Sequence, residues 1–240
     1  AASYFNYAAV AIGLAILFDT LDGRVARMTR TATELGVQLD SLADVLTFGI
    51  APTILVYSWA IGTAFDEKSS AHTLGVFVLF MYLMCGAFRL ARFNLQASRP
   101  RVLIEGTPKV DKKNFVGLPI PTAAGLLAAI IHFAPLPLIS YGAEFARFYT
   151  ILLMILVGIL GILMVSTIRY KSFKSAGTGR QSIYFALLIG AIGMLIWLYS
   201  QYMLLAICAA YTSHGIIWYL FGLLSPRKKE PQIESNESTI

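Results

Sequence analysis

Charge is scarce in this chain. Only 13% of its 240 residues are Asp, Glu, Lys or Arg, about half the roughly 25% of a soluble domain. Cysteine is scarcer still. Cys85 and Cys208 are the two, and both fall inside apolar runs. They read as small packing residues, which excludes a disulfide framework and a thiolate metal site. The three histidines, His72, His132 and His214, are scattered without metal-ligand spacing and read as core or interface residues. The sequence holds no Ser-His-Asp arrangement, no Walker motif, no dinucleotide fingerprint and no internal repeat. The chain opens at AASYFNYAAV with no initiator Met, basic n-region or cleavage site. It therefore reads as a fragment or a processed end without a signal peptide.

Apolar residues fill the space that charge leaves. They make up 57% of the chain, the mean hydropathy is +0.69, and they come in runs near the roughly 20 residues that cross a bilayer as a helix. Seven such segments can be drawn, at about 4–22, 37–62, 72–93, 120–140, 145–168, 182–199 and 202–223. The expected fold is all-α, a polytopic transmembrane bundle forming one domain over 1–224. The polar stretch 225–240 is expected to be a disordered cytoplasmic tail. The net charge of +6 does not point to nucleic acid, because the basic residues lie between the apolar runs. All 19 Lys and Arg residues except Lys68 and Arg147 fall on alternate connections, which places those connections in the cytoplasm. The long connection 94–118 reads either as a surface-lying segment or as an ordinary solvated loop. Pro119 and Pro121 fit a first helical turn. Pro135 and Pro137 should kink or end the fourth helix, and Trp59, Trp197 and Trp218 read as interface anchors.

One stretch breaks the apolar pattern. Between Phe18 and Pro52 lie Asp19, Asp22, Asp40 and Asp44. Spacings of three and four put each pair on one face of a helix. Gly36 precedes Asp40 by one turn, and the small residues Gly23 and Ala26 follow Asp22 at helical spacing. Two helices can thus offer carboxylate pairs to one gap, with room for something bulky. Crowded carboxylates need a counter-charge, and an all-oxygen donor set suits magnesium, manganese or calcium. Arg27 adds a cation to the same stretch. Carboxylates at the edge of a membrane are costly and point to function.

The pattern D-x2-D-G-x2-A-R-x8-G-x3-D-x3-D matches at Asp19, Asp22, Gly23, Ala26, Arg27, Gly36, Asp40 and Asp44. It resembles the signature of the CDP-alcohol phosphatidyltransferases. RLARFN at 89–94, GLPIP at 117–121, DSLAD at 40–44 and FGIAP at 48–52 resemble the membrane-embedded phosphatidylserine synthase branch of that family. The resemblance is good up to about residue 125 and weaker beyond. It implies transfer of a phosphatidyl group from CDP-diacylglycerol to L-serine in a prokaryotic inner or plasma membrane, with the site on the cytoplasmic side. It implies two magnesium or manganese ions held by Asp19, Asp22, Asp40 and Asp44, with calcium as another occupant. Asp44 is the implied general base. Asp22, Gly23, Ala26, Arg27 and Gly36 would bind the CDP-lipid, and Arg89, Arg92 and Asn94 the acceptor. A homodimer is also implied, and Gly158, Gly161, Gly190 and Gly193 would permit close helix packing. One hydrophobic helix is expected before the present start, giving eight. Charge alone leaves other acceptors open, namely glycerol 3-phosphate, an inositol phosphate or choline. A cation-binding transporter is the rival from another class. It fits less well, since transport sites lie near the midplane and these carboxylates gather at one face.

Overall fold

The computed structural model describes residues 2–29, 33–98, 114–166, 169–171, 195, 196 and 198–224. Helix α1 runs over Ala2–Thr29. Helix α2 begins as Glu34–Asp44, widens into a π-helical stretch at Val45–Ile50 and resumes as Ala51–Val56. It widens again at Tyr57–Ile61 and ends with Gly62–Ala64. Helix α3 is Ser70–Ser98, α4 is Ile120–Phe133, α5 is Ala143–Val165 and α6 is Ser200–Leu224. Among the described residues, four stretches are long and apolar enough to cross a membrane: Ser3–Ala26, Leu35–Ala64, Ser70–Leu95 and Ala143–Val165. Their outer faces carry exposed Phe18, Phe77, Phe80 and Ile162, a belt that suits lipid and would be a liability in water. The predicted segment 182–199 lies mostly outside the described residues, as do the tail and most of the 94–118 connection.

The bundle is built around α4. This helix has 14 residues and is buried almost throughout, with Ala123, Ala124, Ala128 and Ala129 among its buried side chains. Small residues let neighbouring helices approach closely. A Cβ on Gly125 would sit 3.1 Å from Ile16 of α1 and 3.6 Å from the Cys208 sulfur of α6. Farther along α4, buried His132 ties the same three helices together. Its Nδ1 is 2.6 Å from Asn6 Oδ1, and its Nε2 is 2.9 Å from Ser200 Oγ. With Nδ1–H donating to the amide oxygen, Nε2 accepts from the hydroxyl. On the other side α3 packs along α5. A Cβ on Gly161 would come 3.6 Å from both Tyr82 Cα and Cys85 Sγ. Gly158 faces Val78 in the same way, so these two glycines serve packing within the chain.

The proline-rich end of α4 differs from the 120–140 span expected. The α-helix stops at Phe133, and a 3-10 turn follows at Leu138–Tyr141. Pro135 ends the helix, since proline cannot continue the hydrogen-bonding pattern. Trp59 covers the result. Its indole Nε1 donates to Ala134 O at 2.9 Å and Leu136 O at 2.7 Å. Trp59 is buried, so its expected role as an interface anchor is corrected to that of an internal helix cap.

A second proline shapes α2. Pro52 has no N–H for Phe48 O four residues back, and the helix opens by one residue ahead of it. The Ala51 N–H reaches Leu46 O, an i to i−5 bond. The buried Tyr82 hydroxyl donates to Phe48 O at 3.1 Å, filling the vacancy that proline leaves. Tyr82→Phe should cost about 1–3 kcal/mol, the range for orphaning a buried carbonyl. Denaturant-induced unfolding in micelles would measure this, and an unchanged midpoint would show that Phe48 O needs no partner.

The strands Asn114–Val116 and Arg169–Lys171 form an antiparallel ribbon, with Phe115 paired to Tyr170. This ribbon is the one departure from helix and turn among the described residues, and nothing in the residue pattern announced it. It leads into the GLPIP segment. Gly117 has φ +83°, and a Cβ there would lie 2.4 Å from Met164 O. Only glycine tolerates both conditions. The Leu118 N–H then donates to Leu163 O at 3.1 Å, capping one of the last carbonyls of α5.

Candidate active site

The aspartates meet where the C-terminal part of α1 faces the N-terminal part of α2. Thr33 starts α2. Its backbone is extended, and its hydroxyl accepts from Gly36 N–H at 3.0 Å. This is an N-cap bond that satisfies one orphan donor of the first turn. A Cβ on Gly36 would sit 3.0 Å from that same hydroxyl oxygen. The glycine expected at the CDP-lipid therefore also has a local duty, which is to let the cap close. Thr33 was missed in the sequence, although a Thr just before a periodic segment is a capping signal.

Asp19, Asp22 and Asp40 form one group, each offering a carboxylate oxygen within 4.8 Å of the others. Asp19 is half-buried, and Asp22 and Asp40 are exposed. Opposed ligands around a cation bound at 2.0–2.6 Å lie roughly 4–5 Å apart. The spacing and the all-oxygen chemistry thus fit a hard divalent cation. Asp44 stands outside this trio. Its carboxylate lies near that of Asp19 and within electrostatic reach of Arg89. The expected four-aspartate cage therefore has three members grouped and one set beside them, toward α3. Gly23 and Ala26 are half-buried on α1 just past Asp22. Arg27 lies in α1, and its side chain is outside the described residues.

The RLARFN residues, expected together at the acceptor, face different partners. Arg92 donates from Nη1 to Val165 O at 3.1 Å and from Nη2 to Ser166 O at 3.4 Å. It braces the carbonyl end of α5, where a cation also suits the helix dipole, and it lies beside Gly117. RLARFN and GLPIP thus converge on one structural junction. Asn94 Nδ2 donates to Ser41 Oγ at 2.7 Å. Ser41 sits between Asp40 and Asp44, so this bond ties the aspartate helix to α3. Ser41 was missed in the sequence because nothing in DSLAD marks it as a tether.

Arg89 is the exception. It is 9% exposed, and its Nε is buried without a hydrogen-bond partner. Its guanidinium lies within electrostatic reach of Asp44 and of Tyr211 on α6. A buried guanidinium N–H left unmatched is costly, and an anion is its natural complement. The arrangement thus offers a cation site for a diphosphate, a neighbouring carboxylate able to take a proton, and an arginine next to that carboxylate.

The chain is 33% identical over 223 residues to the CDP-diacylglycerol–serine O-phosphatidyltransferase of Helicobacter pylori, covering 92% of this chain and 83% of that protein. It is 31% identical over 214 residues to the protein of the same name in Methanocaldococcus jannaschii, covering 88% and 83%. It is 35% identical over 174 residues to the archaetidylserine synthase of Methanothermobacter thermautotrophicus, covering 72% and 61%. Residues 1–163, which hold every aspartate of the cluster, match the sequence pattern of the CDP-alcohol phosphatidyltransferase family, and the chain belongs to that family.

Proposed function

We propose that this protein transfers the phosphatidyl group of CDP-diacylglycerol to L-serine, yielding phosphatidylserine and CMP. The observation that carries the reading is the placement of Asp44 between the Asp19, Asp22 and Asp40 group and the buried Arg89. The names of the similar proteins supply the substrates. Residues 1–224 act as one membrane domain, with the aspartates on the cytoplasmic side and a homodimer as the working assembly.

Asp19, Asp22 and Asp40 would hold a divalent ion, magnesium or manganese, and Asp44 would extend the cluster to a second; such ions would offset the negative charge of the diphosphate and supply Lewis-acid chemistry there. Gly23, Ala26 and Gly36 leave space for the cytidine, and Arg27 meets diphosphate oxygens. Arg89 holds the serine carboxylate so that the hydroxyl faces Asp44. Asp44 takes the hydroxyl proton, the serine oxygen bonds to the phosphorus next to the diacylglycerol, and the bond from that phosphorus to CMP breaks. Arg92 and Asn94 brace the helix that presents Arg89.

The test is CMP release by the purified protein with CDP-diacylglycerol and manganese. The expected result is release that depends on L-serine and is absent with glycerol 3-phosphate, inositol phosphate or choline. Release with one of those acceptors instead would keep the aspartate site and overturn the serine reading.

A further inference from the structure

The ion site is assembled from two helices with unequal support. On α1, Ala9 and Ile12 are buried and Ile16 packs against α4 at Gly125, so the core fixes the helix that carries Asp19 and Asp22. The aspartate end of α2 has no such anchor. From residue 35 to residue 44 every residue is exposed except Ser41 and Asp44, which are half-buried. Phe48 is the first buried residue after that, inside the π-helical stretch. Asp40 meets Asp19 and Asp22 from this unanchored end, and such an end can turn about its own axis.

A hydrogen bond from α3 opposes that turn. Asn94 Nδ2 donates to Ser41 Oγ at 2.7 Å, and the same hydroxyl donates to Val37 O at 3.0 Å. A serine hydroxyl can accept and donate at once. Asn94 lies two residues beyond Arg92, whose guanidinium is held on Val165 O and Ser166 O. The donor is thus carried on a braced helix end. At about 100° per residue, Asp44 lies about 40° from Asp40 around α2, and Ser41 about 60° farther on. The three fan across one face in the order Asp40, Asp44, Ser41. Holding Ser41 against α3 turns Asp40 toward the α1 pair and leaves Asp44 between that pair and Arg89, which is the division observed.

Resting on the ion reading given above, we propose that Ser41 is a positioning residue: the hydrogen bond from Asn94 fixes the rotation of the aspartate end of α2 and thereby sets the affinity of the divalent-ion site. When that end is free to turn, only a fraction of molecules present Asp40 beside Asp19 and Asp22, and the apparent affinity falls by that fraction. With the site saturated the rotation is restored, and Asp44 returns with Asp40. Loss of the tether is therefore felt in ion affinity and recovered at high ion concentration.

Manganese is titrated into the full chain in detergent, before any substrate is added, and free manganese is read by electron paramagnetic resonance, wild type first. Loss of one neutral hydrogen bond corresponds to about a fivefold change. Ser41→Ala should raise the manganese dissociation constant about fivefold. Ser41→Thr keeps the hydroxyl and should stay within about twofold of wild type. Asn94→Ala should weaken binding by a similar factor alone and by much less in the Ser41→Ala background, because the two residues share one bond. The metal-free unfolding temperature of Ser41→Ala should match the wild type, since no core contact is lost. In CMP release with CDP-diacylglycerol and L-serine, the manganese concentration for half the maximal rate should rise by the same factor, while kcat at saturating manganese stays within about twofold. An unchanged dissociation constant in Ser41→Ala, a Ser41→Thr variant no better than Ser41→Ala, an equal effect of Asn94→Ala in both backgrounds, or a kcat loss that saturating manganese does not recover would each overturn the tether. A wild type that binds no manganese would overturn the ion reading and the tether with it, and the first titration tells that failure from the others.

Discussion

Asp44→Asn will lower kcat for CMP release by about a thousandfold, within the 10²–10⁴ that a positioned general base supplies. It will leave CDP-diacylglycerol binding within a few fold of wild type. Asparagine keeps the size and hydrogen-bonding capacity of the side chain and removes its ability to take a proton. The structure separates Asp44 from its three companions, setting it near Asp19 on one hand and near Arg89 on the other. A residue that served only to hold an ion would lose lipid binding and rate together, because the diphosphate is bound through that ion. The measurement is kcat alongside equilibrium binding of the CDP-lipid to the same preparation. A parallel loss of both would refute the base and leave a ligand in its place.

Removing divalent cations will abolish turnover, and the reason can be read without turnover. A ligand that binds only the folded state at a hundred times its dissociation constant stabilises it by about 2.7 kcal/mol. Manganese should therefore raise the unfolding temperature of the wild type. The double variant Asp22→Asn, Asp40→Asn removes two of the three grouped carboxylates and should lose that shift along with CMP release. It should still fold, since both positions are exposed and shedding negative charge from a crowded cluster relieves repulsion. An undiminished manganese shift in the double variant would place the ion elsewhere.

The site was more legible in the sequence than the scaffold that aims it. Carboxylates in an apolar chain stand out, and spacings of three and four on helices fix which of them share a face. That logic led to Asp19, Asp22, Asp40 and Asp44, of which the structure groups the first three and sets Asp44 beside them. It also marked the GLPIP prolines as a helix start, which Ile120 now opens. Spacing carried no information about contacts between distant segments. Arg89, Arg92 and Asn94 looked alike as polar residues at a helix end, yet Arg92 spans to Val165 and Ser166, and Asn94 spans to Ser41. Only the packing of α3 on α5 and α2 decides which of the three keeps an unmatched donor.

The first π-helical stretch in α2 sets the helix before it and the helix just after it in two phases. An α-helix turns by about 100° per residue, and the residue absorbed ahead of Pro52 offsets everything beyond it by about that angle. Asp40 and Asp44 keep time with the cap at Thr33, while Thr53, Leu55 and Val56, just beyond, keep time with the core. Deleting one residue between Val45 and Ile50 would restore a regular helix and swing the aspartates about a quarter-turn away from α1. The bundle would stay packed while its carboxylates pointed elsewhere. The aspartate face and the packing face of α2 are thus separately addressable, and the extra residue is the comma between them.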